Sequence, residues 1–224
     1  MRGGAQSLVI AELTVAYGDM VVLDDLSLHV AAGTRRIILG PNGAGKSTLF
    51  SAIAGTVRAK SGLTRIGADD ITHLPPYRRA RRFIARSFQV PKLVRELTVG
   101  EHLELAGNTR PAELLGVTTL GARRVTQLTH AQRKLLEIAT AFAVEAPVVL
   151  LDEPTSGLGI EDKELVATAL EELADHFTML IIEHDYEFIA RLDVPVLLIS
   201  GGRIEMEGAA GDVRAFAQSH GIYF

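Results

Sequence analysis

The stretch Gly40-Pro41-Asn42-Gly43-Ala44-Gly45-Lys46-Ser47-Thr48 decides how the rest of the chain is read. It fits the pattern G-x-x-x-x-G-K-[ST], with Gly40, Gly45, Lys46 and Ser47 at the fixed positions. Before it, Arg35-Arg36-Ile37-Ile38-Leu39 reads as a short strand buried on both faces. After it, Thr48-Leu49-Phe50-Ser51-Ala52-Ile53-Ala54 has the apolar spacing of a helix that stops at Gly55. Strand, glycine loop and helix in that order are the context in which the pattern holds phosphate. Glycines let the backbone curl so that successive N–H groups and the helix N-terminus converge on phosphate oxygens. Lys46 then sets its ammonium against the β- and γ-phosphates, and Ser47 offers a hydroxyl to Mg²⁺. A plain glycine turn beside a surface lysine does not account for every fixed position being filled.

Composition narrows the remaining choices. The 224 residues are 47% hydrophobic, enough for a sizeable core in one large or two small units. Lysine and arginine number 23 against 27 acidic residues, a net charge of -4, which argues against a nucleic acid as the main partner. A local basic run, Arg78-Arg79-Ala80-Arg81-Arg82, stands against that background. Cysteine is absent, so disulfides, thiolate metal sites and cysteine catalysis are excluded. No apolar run approaches the roughly 20 residues that cross a bilayer, and no charged-then-apolar leader opens the chain. The expectation is a soluble protein that meets a membrane only through a partner.

Residues 8–15 and 21–30 alternate and are rich in β-branched residues, predicting an antiparallel pair that turns at Gly18. Strands are expected at 62–66 and 84–88, with a short basic helix opening at Pro75-Pro76 between them. From 90 to 127 the pattern breaks into small helical pieces, one capped by Thr98-x-x-Glu101, and is expected to form an inserted helical subdomain. Then α and β alternate again. A helix through Leu135, Ile138 and Phe142 precedes a strand at 148–151, and a helix through Val166, Leu170 and Leu173 precedes one at 179–182. Strands at 196–199 and 203–207 flank Gly201-Gly202, and a last helix uses Val213, Phe216 and Ala217. The expected fold class is α/β, a P-loop fold with a mostly parallel sheet covered by helices, an antiparallel β edge and the helical insertion, all in a single domain spanning 1–224.

Val148-Val149-Leu150-Leu151-Asp152-Glu153-Pro154 is an apolar strand that ends in two carboxylates. In a parallel sheet such an end lies beside the phosphate loop, so Asp152 is placed to hold Mg²⁺ through water and Glu153 to polarise an attacking water. A guanine reader, Asn-Lys-x-Asp, does not occur.

With these motifs in order, nearly the whole chain resembles the ATP-binding cassette subunits of ABC transporters. The resemblance implies that ATP and Mg²⁺ are bound, with Tyr17 stacking on adenine and Gly40, Pro41, Asn42, Gly43, Ala44, Gly45, Lys46, Ser47 and Thr48 around the phosphates. It implies that Gln89, after Arg86-Ser87-Phe88, reaches Mg²⁺ and the water, and that His184 in Ile182-Glu183-His184-Asp185 contacts the γ-phosphate. The family's signature Leu-Ser-Gly-Gly-Gln corresponds to Leu128-Thr129-His130-Ala131-Gln132, in which Thr129 and Gln132 form a capping box at a helix start. Through Thr129, His130, Ala131 and Gln132 this helix would meet the γ-phosphate held by a second cassette. Ala131 stands where the family has glycine, and Gly159 in Ser156-Gly157-Leu158-Gly159 where it has aspartate. Both departures fall on the surface donated to the partner, so the expectation is an asymmetric dimer, complete in cis and weakened in trans.

Residues 70–76, 84–91 and 135–139, with Glu183-His184-Asp185, are similar to cassettes of branched-chain amino acid and urea-type importers. The insertion looks short for that branch, lacking a helix near 108–111. The resemblance implies integral membrane permease subunits, a second cassette (homodimer or heterodimer), a periplasmic or surface solute-binding protein, and a place on the cytoplasmic face of the membrane. Val90, Leu93, Val94 and Leu97 are candidates for the groove that meets the membrane subunit, or else core residues of the insertion. A lipopolysaccharide-type export cassette, a soluble ABC ATPase and an ATP-gated binding module remain open.

Overall fold

Alternating burial along β1 (Leu8–Tyr17) and β2 (Met20–Val30) pairs them antiparallel around Gly18-Asp19. The computed structural model describes residues 4–87 and 93–223. β3 (Arg35–Leu39) runs into the glycine loop and α1 (Lys46–Ala54), as the sequence predicts. β4 (Ser61–Ile66) and β5 (Asp69–Asp70) then extend the opening pair into an antiparallel sheet of order β2-β1-β4-β5. The opening pair therefore belongs to its own sheet, standing apart from the strand that carries the glycine loop.

α2 (Pro76–Arg82) leads to β6 (Ile84–Arg86), shorter than the expected 84–88; Phe88 and Gln89 lie outside the described residues. Between 93 and 129 come α3 (Val99–Ala106), α4 (Arg110–Leu114) and two 3-10 turns. The capping box at Thr98 and Glu101 forms as read, the Glu101 amide donating to Thr98 Oγ1 at 3.2 Å. α4 places a short helix where the sequence suggests that one is missing: Pro111 occupies its first turn, and a proline there costs no hydrogen bond.

α5 (His130–Ala143), β7 (Val148–Asp152), α6 (Ile160–Glu172), β8 (Thr178–Ile182), α7 (Tyr186–Leu192), β9 (Val196–Ser200), β10 (Arg203–Gly208) and α8 (Ala210–Ser219) complete the order. The second sheet runs β10-β9-β3-β8-β7-β6, parallel except for the β9–β10 hairpin. Its inner strands are buried on both faces, so successive residues serve opposite cores. Ile37, Leu39, Val149 and Leu151 face the helices α5 and α6, whereas Ile38, Val148 and Leu150 face α1 and the antiparallel sheet. This two-sided burial is why the strands read as unbroken apolar runs.

The basic run on α2 is partly structural. Arg79 is 5% exposed and donates to the carbonyls of Ala52 and Ile53 at the end of α1, and to those of Thr72 and Leu74. A guanidinium fork thus satisfies orphan carbonyls at the C-terminus of the helix that follows the glycine loop. Arg79→Met should leave the Ile53, Thr72 and Leu74 carbonyls without that donor, while Ala52 O keeps the Gly55 amide at 3.1 Å, and lower stability by about 2–4 kcal/mol. Chemical denaturation monitored by circular dichroism would measure the loss.

Candidate functional site

The loops that follow β3, β7 and β8 leave the parallel sheet at one edge, where strand carboxyl ends meet helix N-termini. Two glycines make the first of these loops feasible. Gly40 has φ 151°, and a Cβ there would stand 2.0 Å from the Ile199 carbonyl oxygen on β9. Gly45 has φ 101°, and a Cβ there would come within 2.6 Å of Leu23 Cδ2 on β2. The loop is thereby wedged between the two sheets, and α1 begins at Lys46. Lys46 is buried, its Nζ donating to the carbonyls of Gly40 at 2.6 Å and Pro41 at 2.9 Å. Burial lowers its pKa, opposed by the carboxylates of Glu153 and Asp152. A cation so desolvated gains from an anion brought against it.

A cavity of about 420 Å³ joins Asn42, Gly43, Ala44, Gly45, Lys46, Ser47 and Thr48 to Tyr17, Glu153 and His184. Met20, Val22 and Ile182, which the sequence does not single out, complete the lining. Tyr17 is the last residue of β1 rather than a turn residue, half-exposed beside the exposed Met20, so its ring forms an apolar wall of the cavity mouth. Gly40 and Pro41 do not line the cavity; they hold the lysine from behind.

Glu153 and His184 arrive from neighbouring strands. Glu153 adopts φ 48°, an uncommon conformation for a residue with a side chain, and its amide donates to Ile182 O at 2.9 Å. The turn brings Glu153 Oε1 to 3.5 Å from His184 Nε2. Asp152 lies beneath, mostly buried, with Oδ2 at 3.3 Å from Arg86 Nη2, while its amide donates to Ser87 Oγ at 3.1 Å. Arg86 also donates to Ser51 Oγ at 3.3 Å, tying α1 to the carboxylate.

The Ser47 hydroxyl and the Asp152 carboxylate are hard oxygen donors at the end of the loop and of β7. Among the described residues no group of three or more His, Cys, Asp or Glu forms a metal cage. That donor set suits a small hard cation that keeps most of its own water and takes one or two protein oxygens, as Mg²⁺ does. Gln89, also expected there, lies outside the described residues.

Thr129, His130, Ala131 and Gln132 are not in this cavity. They open α5, where Thr129 Oγ1 accepts from the Gln132 amide at 3.2 Å and Gln132 Oε1 from the Thr129 amide at 3.1 Å, the capping box read from the sequence. His130 packs over Gly157: a Cβ at that glycine would lie 2.9 Å from His130 Nε2. Gly159 N-caps α6 without a side-chain bond and has open space at its Cα.

Three charged residues near the site carry no motif signal of their own. Arg86 is one; Lys134, fully buried on α5 and 3.4 Å from Asp152 O, is another; Glu183, buried before His184, is the third. Desolvation lowers the Lys134 pKa, countered by Glu137, Asp152, Glu183 and Glu153. The available signal was a charge inside an apolar period, as at Lys134 within Leu128, Leu135 and Ile138.

Away from the loop edge, a groove of about 370 Å³ is lined by Ala80, Ile84, Leu93, His102, Leu105 and Val144 among others. Leu105 is 77% and Val94 51% exposed, while Leu97 is half-buried and Val90 lies outside the described residues. No helix among the described residues is long and apolar enough to cross a membrane.

A family model for ABC transporters matches residues 3–156, and the chain belongs to that family. It is 32% identical over 222 residues to the sulfate/thiosulfate import ATP-binding protein CysA of Mycobacterium tuberculosis, covering 92% of this chain and 62% of that protein. A putative 2-aminoethylphosphonate import ATP-binding protein, PhnT of Salmonella typhimurium, is 32% identical over 231 residues, 96% of this chain and 61% of the relative. The chain thus spans about three fifths of the length of these curated relatives. Among solved structures, an ATP-binding cassette of an ABC transporter superposes with TM-score 0.86 at 26% identity, covering 98% of this chain and 99% of its own. A nucleotide-free cassette superposes with TM-score 0.83 at 27% identity, covering 96% and 95%. The relatives are named for sulfate, thiosulfate and aminoethylphosphonate, not for branched-chain amino acids or urea.

Asp185 closes the site region by N-capping α7, its Oδ1 accepting from the amides of Glu187 at 3.0 Å and Phe188 at 3.1 Å while Oδ2 pairs with Lys163. The hydrogen bond from Lys163, then these amides, hold its pKa below the usual carboxylate value. A depressed carboxylate stabilises the fold above its unfolded pKa of about 3.9 and loses that contribution as pH falls through the folded value. The Tm advantage of wild type over Asp185→Asn should therefore be full near neutrality and shrink below about pH 4 in thermal melts.

Proposed function

We propose that this chain is the ATP-hydrolysing subunit of an ABC importer, working as one cassette of a head-to-tail dimer. The observation that carries this reading is the single cavity in which the glycine loop, Glu153 and His184 converge from three strand ends. In this reading the adenine of ATP stacks on Tyr17, and the phosphates lie along the amides of residues 42–48. Lys46 leaves its two loop carbonyls to meet the β- and γ-oxygens. Ser47, Asp152 and Gln89 hold Mg²⁺, which when bound neutralises charge on the β- and γ-phosphates. Glu153 orients the attacking water and takes its proton, and His184, 3.5 Å away, donates to the γ-phosphate and keeps that carboxylate aligned.

The signature residues Thr129–Gln132 open away from this cavity, so the reading assigns them to the nucleotide of a second cassette. The helical segment 90–127 is the inserted subdomain that leads into them, and Leu93 and the exposed Leu105 line the groove for a membrane subunit, with the exposed Val94 and the half-buried Leu97 on the same segment. Seated there, the chain sits on the cytoplasmic face of the membrane without crossing it, serving permease subunits and a solute-binding protein. The transported solute is a small polar molecule: the motif likeness favours an amino acid or related compound, and the named relatives extend that class to small oxyanions. Co-purification with the membrane subunits and uptake of labelled solutes decide among them.

Glu153→Gln should bind ATP with affinity near wild type and lower phosphate release by at least about 100-fold. Stopped or continuous phosphate assays beside a nucleotide-binding titration check this, and wild-type turnover in the variant removes Glu153 from its role. The weakened trans surface gives a second expectation. Ala131→Gly combined with Gly159→Asp should raise the turnover of the isolated chain several-fold, whereas full cooperative turnover of the unaltered homodimer would rule out asymmetry.

A further inference from the structure

Glu183 stands between the end of β8 and His184 and is 2% exposed. One carboxylate oxygen accepts from the Thr155 amide at 2.9 Å and from the Thr155 hydroxyl. The other accepts from the amides of His184 at 2.8 Å and Asp185 at 3.2 Å. Each oxygen therefore serves a different chain segment, the loop that follows Glu153 and the loop that begins at His184. Those two loops present the carboxylate and the imidazole that meet at 3.5 Å. Glu183 itself does not line the cavity. Its acceptor positions are occupied by fixed donors, which leaves it suited to holding rather than to proton transfer. Lys134, buried on the helix that starts at Thr129, has Glu183 among the carboxylates that compensate its charge.

We propose that Glu183 is a positioning residue for hydrolysis: its carboxylate clamps the Thr155 loop to the His184 loop and so sets the spacing of Glu153 and His184. The clamp rests on the ATPase reading for its effect on rate, but not for its existence. A buried carboxylate is suited to this because two oxygens can bind two pairs of N–H and O–H donors from separate segments at once. An amide cannot, since its –NH₂ would face donors on one side.

The test uses Glu183→Gln in the full chain. The expected result is a kcat lower by about 10–100-fold with KM for ATP little changed, beside a modest fall in Tm from the donors that the –NH₂ would face, since a shift of about 1 Å at a reacting group costs that much in rate. Thr155→Val, which removes only the hydroxyl, should give a smaller loss, and Thr155→Ser should restore wild-type kcat. In a Glu153→Gln background, Glu183→Gln should add no further loss, because both act on the same step. Hydrogen exchange of the Thr155, His184 and Asp185 amides supplies a readout independent of turnover: they should exchange faster in Glu183→Gln while the core strands keep their protection. Unchanged kcat, unchanged exchange at those amides, or equal losses of kcat, ATP affinity and Tm would overturn the proposal. A wild-type chain that fails to release phosphate overturns the ATPase reading instead, and the exchange result still decides whether the clamp exists.

Discussion

The backbone of Gly40 passes so close to β9 that a side-chain carbon there would overlap the Ile199 carbonyl oxygen at 2.0 Å. Everything at the loop edge depends on that approach. β3 lies between β8 and β9, in register Ile38↔Ile182 and Ile38↔Leu197, so the chain leaving β3 has no room to turn unless it hugs a neighbour. Hugging β9 swings the loop toward β2, where Gly45 meets Leu23, and starts α1 with Lys46 facing inward. Once the loop is wedged there, its amides and the ends of β7 and β8 share one opening. A side chain at either glycine would shift the loop and separate those parts.

Beneath the opening lies a layer of buried charge that an apolar core would not need. Arg79 holds the far end of α1, Arg86 ties α1 to Asp152, Lys134 reaches the Asp152 carbonyl, and Glu183 joins the loops that follow β7 and β8. Buried ionic groups of this kind add little net stability, because desolvation consumes most of the attraction. Their return is orientation: each fixes one segment of the opening relative to another with hydrogen bonds of defined direction. The left-handed turn at Glu153 is the strained element that this framework keeps in place.

The two departures from the family pattern also acquire a physical setting. His130 rests on Gly157, so the start of α5 and the loop that ends at Gly159 form one continuous surface. Ala131 is partly buried against the helical core rather than fully presented to solvent. The capping box already engages the Gln132 amide, leaving the first amides of α5 as the donors this surface can offer.

The order of strands and helices, the glycine loop, Asp152-Glu153, and both capping boxes were legible because each depends on local chain geometry: a period of two or 3.6, a glycine where φ is positive, a cap three residues from its partner. Strand β6 stops at Arg86, before Ser87 of the expected strand, the helix α4 formed around a proline that reads as a break, and α7 carried too short a pattern to announce itself. Sequence by itself determined which residues could meet phosphate and that β7 and β8 lie in a covered parallel sheet. Only the tertiary structure decided that the opening hairpin belongs to a separate sheet, that Arg79 of the basic run on α2 is spent on α1, and that Glu183 faces Thr155. The last two outcomes turn on hydrogen bonds between segments 27 or 28 residues apart, as Arg79 to Ala52 and Glu183 to Thr155 show. Such bonds follow from how layers stack, and no local pattern records which donor will find which acceptor.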